Sequence, residues 1–194
     1  MLAEYTQENR TRAAISTLGR IARALLVLAL ASAATWGCRA AWAWIGPQGA
    51  WVHLYRGTEF QALRFVRPVD RTEFFFDGNP APRVPLENFS ARLTGWLYVK
   101  QDADYSFATL SDGGHRVFID DNPVIDNWRE LSWGDRGNSA EGIRLRKGWH
   151  RLCVEYFNSR GQARVRLVWL GGEIPPRTII AGASLWKYRL PFGG

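Results

Sequence analysis

Residues 151–170 read RLCVEYFNSRGQARVRLVWL and contain the pattern that decides the fold. Within Gln162–Leu170, every second residue from Ala163 to Trp169 is apolar, and Arg164 and Arg166 lie between the first three of these residues. A period of two places the apolar side chains on one face of a β-strand and the charged ones on the other. Asn158–Gly161 separates this strand from an earlier apolar run, Arg151–Phe157, and predicts a hairpin turn. The stretch therefore predicts two half-buried, antiparallel strands.

The same organisation extends through the chain on both sides of this stretch. Gly95–Lys100 and Asp104–Leu110 read as strands, and Arg116–Asp120 with Val124–Asn127 predicts a second hairpin. No helical periodicity appears in this region. We therefore expect residues 47–194 to form one all-β domain, an antiparallel β-sandwich or barrel-like fold.

An apolar segment precedes the domain. From Ala24 to Ile45 the chain carries one charge, Arg39, and its 22 residues suffice to cross a hydrocarbon core of ~30 Å. We expect a transmembrane helix over residues 21–46, preceded by a tail of residues 1–20. Tryptophans crowd the domain side of this helix, where they are expected to anchor it at the membrane interface: Trp36, Trp42, Trp44 and Trp51.

The distribution of arginines predicts the orientation of the anchor. Four arginines lie before the apolar segment, between Arg10 and Arg23, whereas Arg39 and Arg56 flank its other end. The positive-inside rule then places the N-terminus in the cytoplasm and the domain in the periplasm or outside the cell. The alternative is a cleaved signal peptide, because Ala31-Ser32-Ala33 has the small-x-small form of a cleavage site.

One face of the predicted helix carries small residues at every fourth position, which lets a second helix approach closely. These residues are Ala29, Ala33, Gly37 and Ala41. The stripe predicts packing against another membrane-protein subunit. The alternative is that alanine is simply common in this segment.

Charge and cysteine content exclude several kinds of site. Of the net charge of +7, the 20 basic and 16 acidic residues after Pro47 contribute only +4, and this region has no basic run interleaved with aromatic residues. This mixed surface excludes a nucleic-acid-binding function. Cys38 lies in the apolar segment, so we expect no disulfide with Cys153. No cysteine and histidine spacing of the kind that binds a metal occurs.

Six stretches, in order, resemble the core of the protective-antigen domain family. The most characteristic of them is Ser111–Asp120, SDGGHRVFID. The others are Phe89–Trp96, Tyr105–Phe107, Val124–Trp128, Gly148–His150 and Leu167–Trp169. The resemblance covers roughly Trp51 to Leu190. It implies a β-sandwich or barrel-like module that acts in binding or spacing and often recognises glycans.

The resemblance also implies a metal site in the sugar-binding members. In those members two consecutive aspartates hold a calcium ion, and hydroxyls of the sugar complete its coordination. Here Asp112 stands at the first position and Gly113 at the second. Because calcium needs six to eight oxygen ligands, with carboxylates supplying the charge, we expect neither calcium nor another cofactor. Asp112 remains a candidate for ligand binding, but a turn-closing role is the stronger expectation.

No constellation of catalytic residues is apparent, so we expect no enzyme. Asp120, Asp121 and Asp126 cluster around one predicted hairpin, where solvated turns explain them. No serine or cysteine can be tied to a histidine as a nucleophile. Cys153 lies in mid-strand and is expected to be an inert, packed thiol. Trp133, in the polar loop SWGD, is the aromatic candidate for contact with a ligand or partner.

Two functions follow. The favoured one is a non-catalytic, single-pass accessory subunit of a larger membrane complex, of a respiratory, photosynthetic or envelope type. In that role the extracytoplasmic β domain contacts partner subunits. The alternative is a membrane-tethered carbohydrate-binding module, which the family resemblance supports.

Overall fold

Twelve β-strands form the part of the chain that the structure, a computed structural model, describes: residues 46–130 and 138–189. The first six are Ala50–Arg56 (β1), Ala62–Val69 (β2), Glu73–Phe76 (β3), Phe89–Val99 (β4), Ala103–Ser111 (β5) and Gly114–Ile119 (β6). The others are Asn122–Asn127 (β7), Ser139–Leu145 (β8), Gly148–Asn158 (β9), Ala163–Gly171 (β10), Ile174–Ile179 (β11) and Leu185–Trp186 (β12). A single 3-10 turn, Gly182–Ser184, is the only helical element among these residues.

The strands form two antiparallel sheets. The seven-stranded sheet has the order β2-β1-β4-β9-β6-β7, and β12 pairs with the second half of β4. The five-stranded sheet has the order β11-β10-β5-β8, and β3 pairs with β10. The all-β, antiparallel fold expected from the sequence is therefore confirmed.

The core lies between the two sheets and is built by the alternation seen in the sequence. Leu152, Val154 and Tyr156 of β9 point inwards from the seven-stranded sheet. Leu167 and Trp169 of β10 face them from the other sheet and are buried as well. Two inner faces that share one apolar core define a β-sandwich, whose outer faces stay available for contacts.

The hairpin predicted around Asn122 is confirmed, with a tighter turn than expected. Strands β6 and β7 pair directly, and the two residues between them are Asp120 and Asp121. Both have positive φ, 50° and 65°, as a type I′ turn requires. Pro123 falls within β7, which it can do because β7 is an edge strand.

The hairpin predicted within residues 151–170 is wrong, although both of its strands exist. Strand β9 lies in the seven-stranded sheet and β10 in the five-stranded sheet, so they face each other across the core. The amide of Asn158 donates to the carbonyls of Leu86 (2.8 Å) and Gly161 (3.0 Å) and so holds the connection between the sheets. Alternation of apolar and polar residues fixes the buried face of a strand, but not its neighbour.

The predicted transmembrane helix over residues 21–46 lies outside the described residues, apart from Gly46. Within residues 46–130 and 138–189, the structure contains no helix with the length and hydropathy of a membrane span.

Candidate functional site

The turn between β5 and β6 is the place where the sugar-binding members of the resembled family hold calcium. It passes from one sheet to the other and is closed by its own side chains. The Ser111 hydroxyl donates to the carbonyl of Gly113 at 2.9 Å. The same carbonyl accepts a hydrogen bond from Nδ1 of His115 at 3.2 Å. The turn is thus fixed from both sides.

Asp112 connects this turn to both sheets. Its Oδ1 accepts hydrogen bonds from the Tyr156 hydroxyl at 2.9 Å and from the backbone N–H of Arg164 at 2.7 Å. Burial raises the pKa of the Asp112 carboxyl, and these two hydrogen bonds oppose that shift. The side chain therefore ties the turn to β9 and β10.

Gly113 leaves no room for the second carboxylate of a calcium pair. A Cβ at this position would lie 2.0 Å from the carbonyl oxygen of Phe157 and 2.9 Å from the Tyr156 ring. Real contacts of a Cβ never come so close to a backbone atom, so the backbone would have to shift. In addition, one Asp112 oxygen already accepts two protein hydrogen bonds. The residues of this turn do not fit a calcium ion of the kind that the resemblance implies.

His115 lies beneath the turn and is completely buried. Because the Gly113 carbonyl only accepts, Nδ1 of His115 carries the proton of that hydrogen bond. Its Nε2 then accepts from the Thr109 hydroxyl at 2.7 Å. Burial lowers the pKa of His115, so the neutral imidazole is the form that the fold accommodates.

A groove of about 600 Å³ crosses the outer face of the seven-stranded sheet. Strands β4, β9 and β6 supply most of its lining. The lining residues are Arg92, Thr94, Gly95, Trp96, Phe118, Asp121, Arg151, Leu152, Cys153, Glu155 and Lys187. We call this feature the sheet groove.

One wall of the sheet groove is a row of alternating charges. Arg92 of β4 and Arg116 of β6 are the strand partners of Glu155 on β9. The Arg92 guanidinium donates to Oε1 of Glu155 at 2.7 Å, and Nη1 of Arg116 lies 3.9 Å from Oε2. Arg116 also contacts Asp126 at 3.1 Å. The Glu155 side chain is only 12% exposed, so this wall is a partly buried ion network.

Two stacked aromatic rings support that wall. Phe60 and Trp128 stack with their centroids 5.6 Å apart. The Arg92 guanidinium lies 4.4 Å from the centre of the Phe60 ring, and that of Arg116 lies 4.5 Å from the centre of the Trp128 ring. These cation–π contacts favour the positions in which both arginines face Glu155. Trp128 therefore lies on the outer face of the sheet.

The floor and the second wall follow from the register. Thr94, Cys153 and Phe118 are consecutive strand partners and form the floor. Burial raises the pKa of the Cys153 thiol to about 11, which keeps it protonated and unreactive. Trp96 and Arg151 are strand partners one step further along, where they form the second wall of the groove.

The acidic residues of the β6–β7 hairpin each have a structural partner. Asp120 accepts hydrogen bonds from Nδ1 of His150 at 2.6 Å and from the backbone N–H of Arg151 at 2.8 Å. Asp121 pairs with the Arg151 guanidinium at 2.7 Å. No group of three or more histidine, cysteine, aspartate or glutamate side chains that could hold a metal occurs in residues 46–130 and 138–189.

The model of the PA14 domain matches residues 46–181, which covers both the turn and the sheet groove. The chain belongs to the PA14 domain family. This finding confirms the resemblance to the protective-antigen family that the sequence motifs indicated.

Relatives of this PA14 domain occur within longer proteins. The anti-sigma-I factor RsgI3 of Acetivibrio thermocellus is 30% identical over 123 residues, which cover 62% of this chain and 19% of that protein. A solved anti-sigma factor domain-containing protein is 25% identical with a TM-score of 0.67, covering 76% of this chain and 50% of that one. This chain therefore spans about a fifth of the curated relative and half of the solved one.

A third likeness concerns the fold alone. A PA14 sugar-binding domain from an RTX adhesin is 12% identical, with a TM-score of 0.56 over 74% of this chain and 100% of that chain. It shows that the two-sheet arrangement of this PA14 domain is shared with a domain whose name describes sugar binding.

Other residues singled out in the sequence are distributed as follows. Most of the candidates lie outside the described residues: Trp133 of the polar loop, and Ala29, Ala33, Trp36, Gly37, Ala41, Trp42 and Trp44 of the predicted helix. Trp51 is described and lies on β1, where its ring meets that of Tyr188 edge-on at 6.3 Å. Its predicted role as a membrane anchor stays a prediction.

The sequence analysis missed the sheet groove. Its residues occupy the outward positions of the alternating strands, so the sequence marks them only as polar and exposed. Arg92 and Glu155 are 63 residues apart, and only the register of β4 with β9 brings them together. A concentration of arginine, glutamate and tryptophan at outward positions of neighbouring strands was the available signal.

Proposed function

We propose that this chain is a non-catalytic carbohydrate-binding module that needs no calcium and is tethered to the membrane by the helix predicted over residues 21–46. The single observation that carries this proposal is the sheet groove. It is about 600 Å³ in volume, within the usual range of ligand sites, and it combines aromatic rings with fixed polar groups. Membership in the PA14 domain family supports it.

The groove has the chemistry that a sugar requires. Trp96 and Phe118 provide apolar surface for the C–H faces of a pyranose ring. The ion pair of Arg92 and Glu155 presents donors and acceptors side by side, to which neighbouring hydroxyls can bind. The packing of Gly113 against Phe157 supports recognition without calcium.

The absence of catalysis is part of the proposal. Glycoside hydrolysis requires one carboxylic acid and one carboxylate free to act on the same bond. In the sheet groove Glu155 is bound by Arg92, and Asp121 by Arg151. Carboxylates held in this way support binding rather than proton transfer.

The proposal is tested with the full-length protein in mild detergent on an array of oligosaccharides. We expect binding that is unchanged by a calcium chelator and weakened at least tenfold in Arg92→Ala. The matched control is Arg144→Ala, which removes an exposed arginine from β8 in the other sheet. Binding lost with the chelator, or equal in both variants, would contradict the proposal.

The second candidate function is the accessory subunit of a membrane complex, which the small-residue stripe favours. Close packing rather than hydrophobicity would hold the helix to its partner. Leucine at both Ala33 and Gly37 would fill the stripe while keeping the segment apolar. Leucine at both Ala31 and Thr35, on another face, is the control. Subunits that co-purify with the parent should be lost from the first double variant only; equal recovery of subunits would leave the helix as a tether.

The orientation of the module is tested separately. We expect protease added to intact spheroplasts to remove the domain and spare a tag placed at Met1. A domain that resists the protease in spheroplasts but not in lysed cells would overturn the proposed topology.

A further inference from the structure

The floor of the sheet groove is a channel across the strands. Thr94, Cys153 and Phe118 follow one another on β4, β9 and β6. Neighbouring strands lie about 4.8 Å apart, so this row is about 10 Å long. Thr94 and Cys153 have short side chains, while the longer side chains of Arg92 and Trp96 stand on either side of the row. The space is therefore elongated, with its long axis across the sheet.

The two walls are compensated in charge, and the remaining charged residue of the lining, Lys187, is buried with its ammonium 5.2 Å from the centre of the Trp51 ring. Arg92 pairs with Glu155 on one side, and Arg151 pairs with Asp121 on the other, each at 2.7 Å. In each ion pair, one residue has the same sign of charge as a charged ligand and would repel it. To bind the other member it would have to weaken an existing ion pair, which costs more at the partly buried Glu155 than at the exposed Asp121. A hydroxyl group donates and accepts, so it can contact both members and leave the pair intact.

The first wall is also held in place before any ligand arrives. The rings of Phe60 and Trp128 hold Arg92 and Arg116 against Glu155. Side chains that are already ordered lose little freedom on binding. They also cannot turn away easily to accommodate a ligand of different charge.

We infer that the sheet groove binds an extended, neutral oligosaccharide that lies across β4, β9 and β6. This inference rests on the proposed carbohydrate-binding function and specifies its ligand. The groove's volume gives room for about two or three pyranose rings in a row. The compensated walls select uncharged sugars over uronic acids and amino sugars.

The test compares three series of oligosaccharides, each from one to six units long, by calorimetry on the full-length protein in mild detergent. The series are neutral gluco-oligosaccharides, acidic oligogalacturonides and cationic chitosan oligomers. We expect the affinity for the neutral series to rise over the first three units and then level off. The two charged series should bind at least tenfold more weakly.

Two variants locate the site and its selectivity. Thr94→Phe fills the floor from the outer face and should abolish binding, whereas Ala108→Phe, on the outer face of β5 in the other sheet, should not. Glu155→Gln keeps the shape of the wall but leaves Arg92 and Arg116 without their shared anion. It should weaken neutral binding and improve the binding of oligogalacturonides.

The outcomes separate the inference from the proposed function. Neutral binding that survives Thr94→Phe would overturn the groove as the site while leaving a carbohydrate-binding function standing. Preference of the parent for a charged series, lost in Thr94→Phe, would confirm the site and overturn the neutral class. If none of the series binds, the proposed function fails, and the inference fails with it.

Discussion

The carboxylate of Asp112 lies 2.9 Å from the hydroxyl of Tyr156, although 44 residues separate them. Tyr156 is completely buried, and its hydroxyl donates to an oxygen that also accepts the backbone N–H of Arg164. Burial raises the pKa of the Tyr156 hydroxyl, and the adjacent Asp112 charge raises it further. The phenol is therefore a permanent donor, and the pair joins the turn to the core.

Removing the Asp112 carboxylate should destabilise the domain. Asp112→Ala leaves the buried Tyr156 hydroxyl and the Arg164 N–H without their acceptor, which costs about 1–3 kcal/mol. Asp112→Asn retains an amide oxygen as acceptor and should cost less. Urea unfolding of the purified protein measures both free energies of unfolding. Equal stability of the parent and Asp112→Ala would show that the two hydrogen bonds contribute nothing.

Restoring the aspartate pair should not restore a calcium site. Gly113→Asp places a Cβ 2.0 Å from the Phe157 carbonyl oxygen, so β9 or the turn must shift. We expect the domain to lose about 1–3 kcal/mol, as for other overpacked sites. Calorimetric titration should show no calcium binding tighter than millimolar in the parent or in the variant.

Gly78 provides the matched control for that experiment. A Cβ at Gly78 has no neighbouring atom within 4 Å, so Gly78→Asp should leave the stability nearly unchanged. A micromolar calcium affinity in the parent, lost in Asp112→Ala, would contradict the prediction and restore the family's calcium-dependent mode.

His115 should make the stability depend on pH in the acidic range. Its pKa is lowered in the folded state, because burial disfavours the imidazolium. The stabilisation is fully present above the unfolded pKa of about 6.5 and is lost as pH falls towards the lower folded pKa. His115→Gln removes this titration. It should reduce the slope of the unfolding free energy below pH 6.5 by up to about 1.4 kcal/mol per pH unit.

Asp112 changes the stability with pH in the opposite direction to His115, so the two contributions must be measured separately. Its raised pKa means that the folded state takes up a proton at a higher pH than the unfolded state does. Protonation of Asp112 therefore favours folding as pH falls. Urea unfolding between pH 8 and pH 5 in His115→Gln, Asp112→Asn and the parent distinguishes the two groups. Identical slopes for the parent and His115→Gln would contradict the assignment.

The strands could largely be predicted from the sequence, because a strand with one buried face alternates apolar and polar residues. The β6–β7 hairpin could also be predicted, since the two adjacent aspartates of its turn, Asp120 and Asp121, tolerate positive φ. The pairing of β9 could not. The alternation in β9 predicts that Val154 and Tyr156 face the core, but β10 alternates in the same way, so the pattern does not identify the neighbour of either strand. Which strand lies beside β9 depends on contacts distant in sequence.

Of the candidate site, only the missing carboxylate at position 113 could be seen in the sequence. Gly113 in the sequence already indicated that one carboxylate of the calcium pair is missing, and the close approach of Phe157 supplies the physical reason. The sheet groove could not be predicted in the same way. Arg92, Glu155 and Arg116 come from three strands, and their proximity arises from the register of β4, β9 and β6.

Trp128 should control the sheet groove without lining it. Its ring stacks on Phe60, meets Phe157 edge-on at 4.8 Å and carries the Arg116 guanidinium. An aromatic pair contributes about 0.5–1.5 kcal/mol and an exposed cation–π contact about 0.5–1 kcal/mol. Trp128→Ala should therefore lower the stability by about 2 kcal/mol. It should also free Arg116 from its fixed position beside Glu155.

The loss of that support should weaken oligosaccharide binding several-fold, because the ordering of the wall must then accompany binding. Trp128→Phe keeps a ring for the stack and loses only the hydrogen bond from Nε1 to Glu59, so both effects should be smaller. Calorimetry and urea unfolding on the same preparations measure affinity and stability together. A variant that loses stability but keeps the parent's affinity would show that the ion network orders itself without the rings. The ordering of Arg92 and Arg116 by the aromatic rings before the ligand binds would then contribute nothing to the affinity.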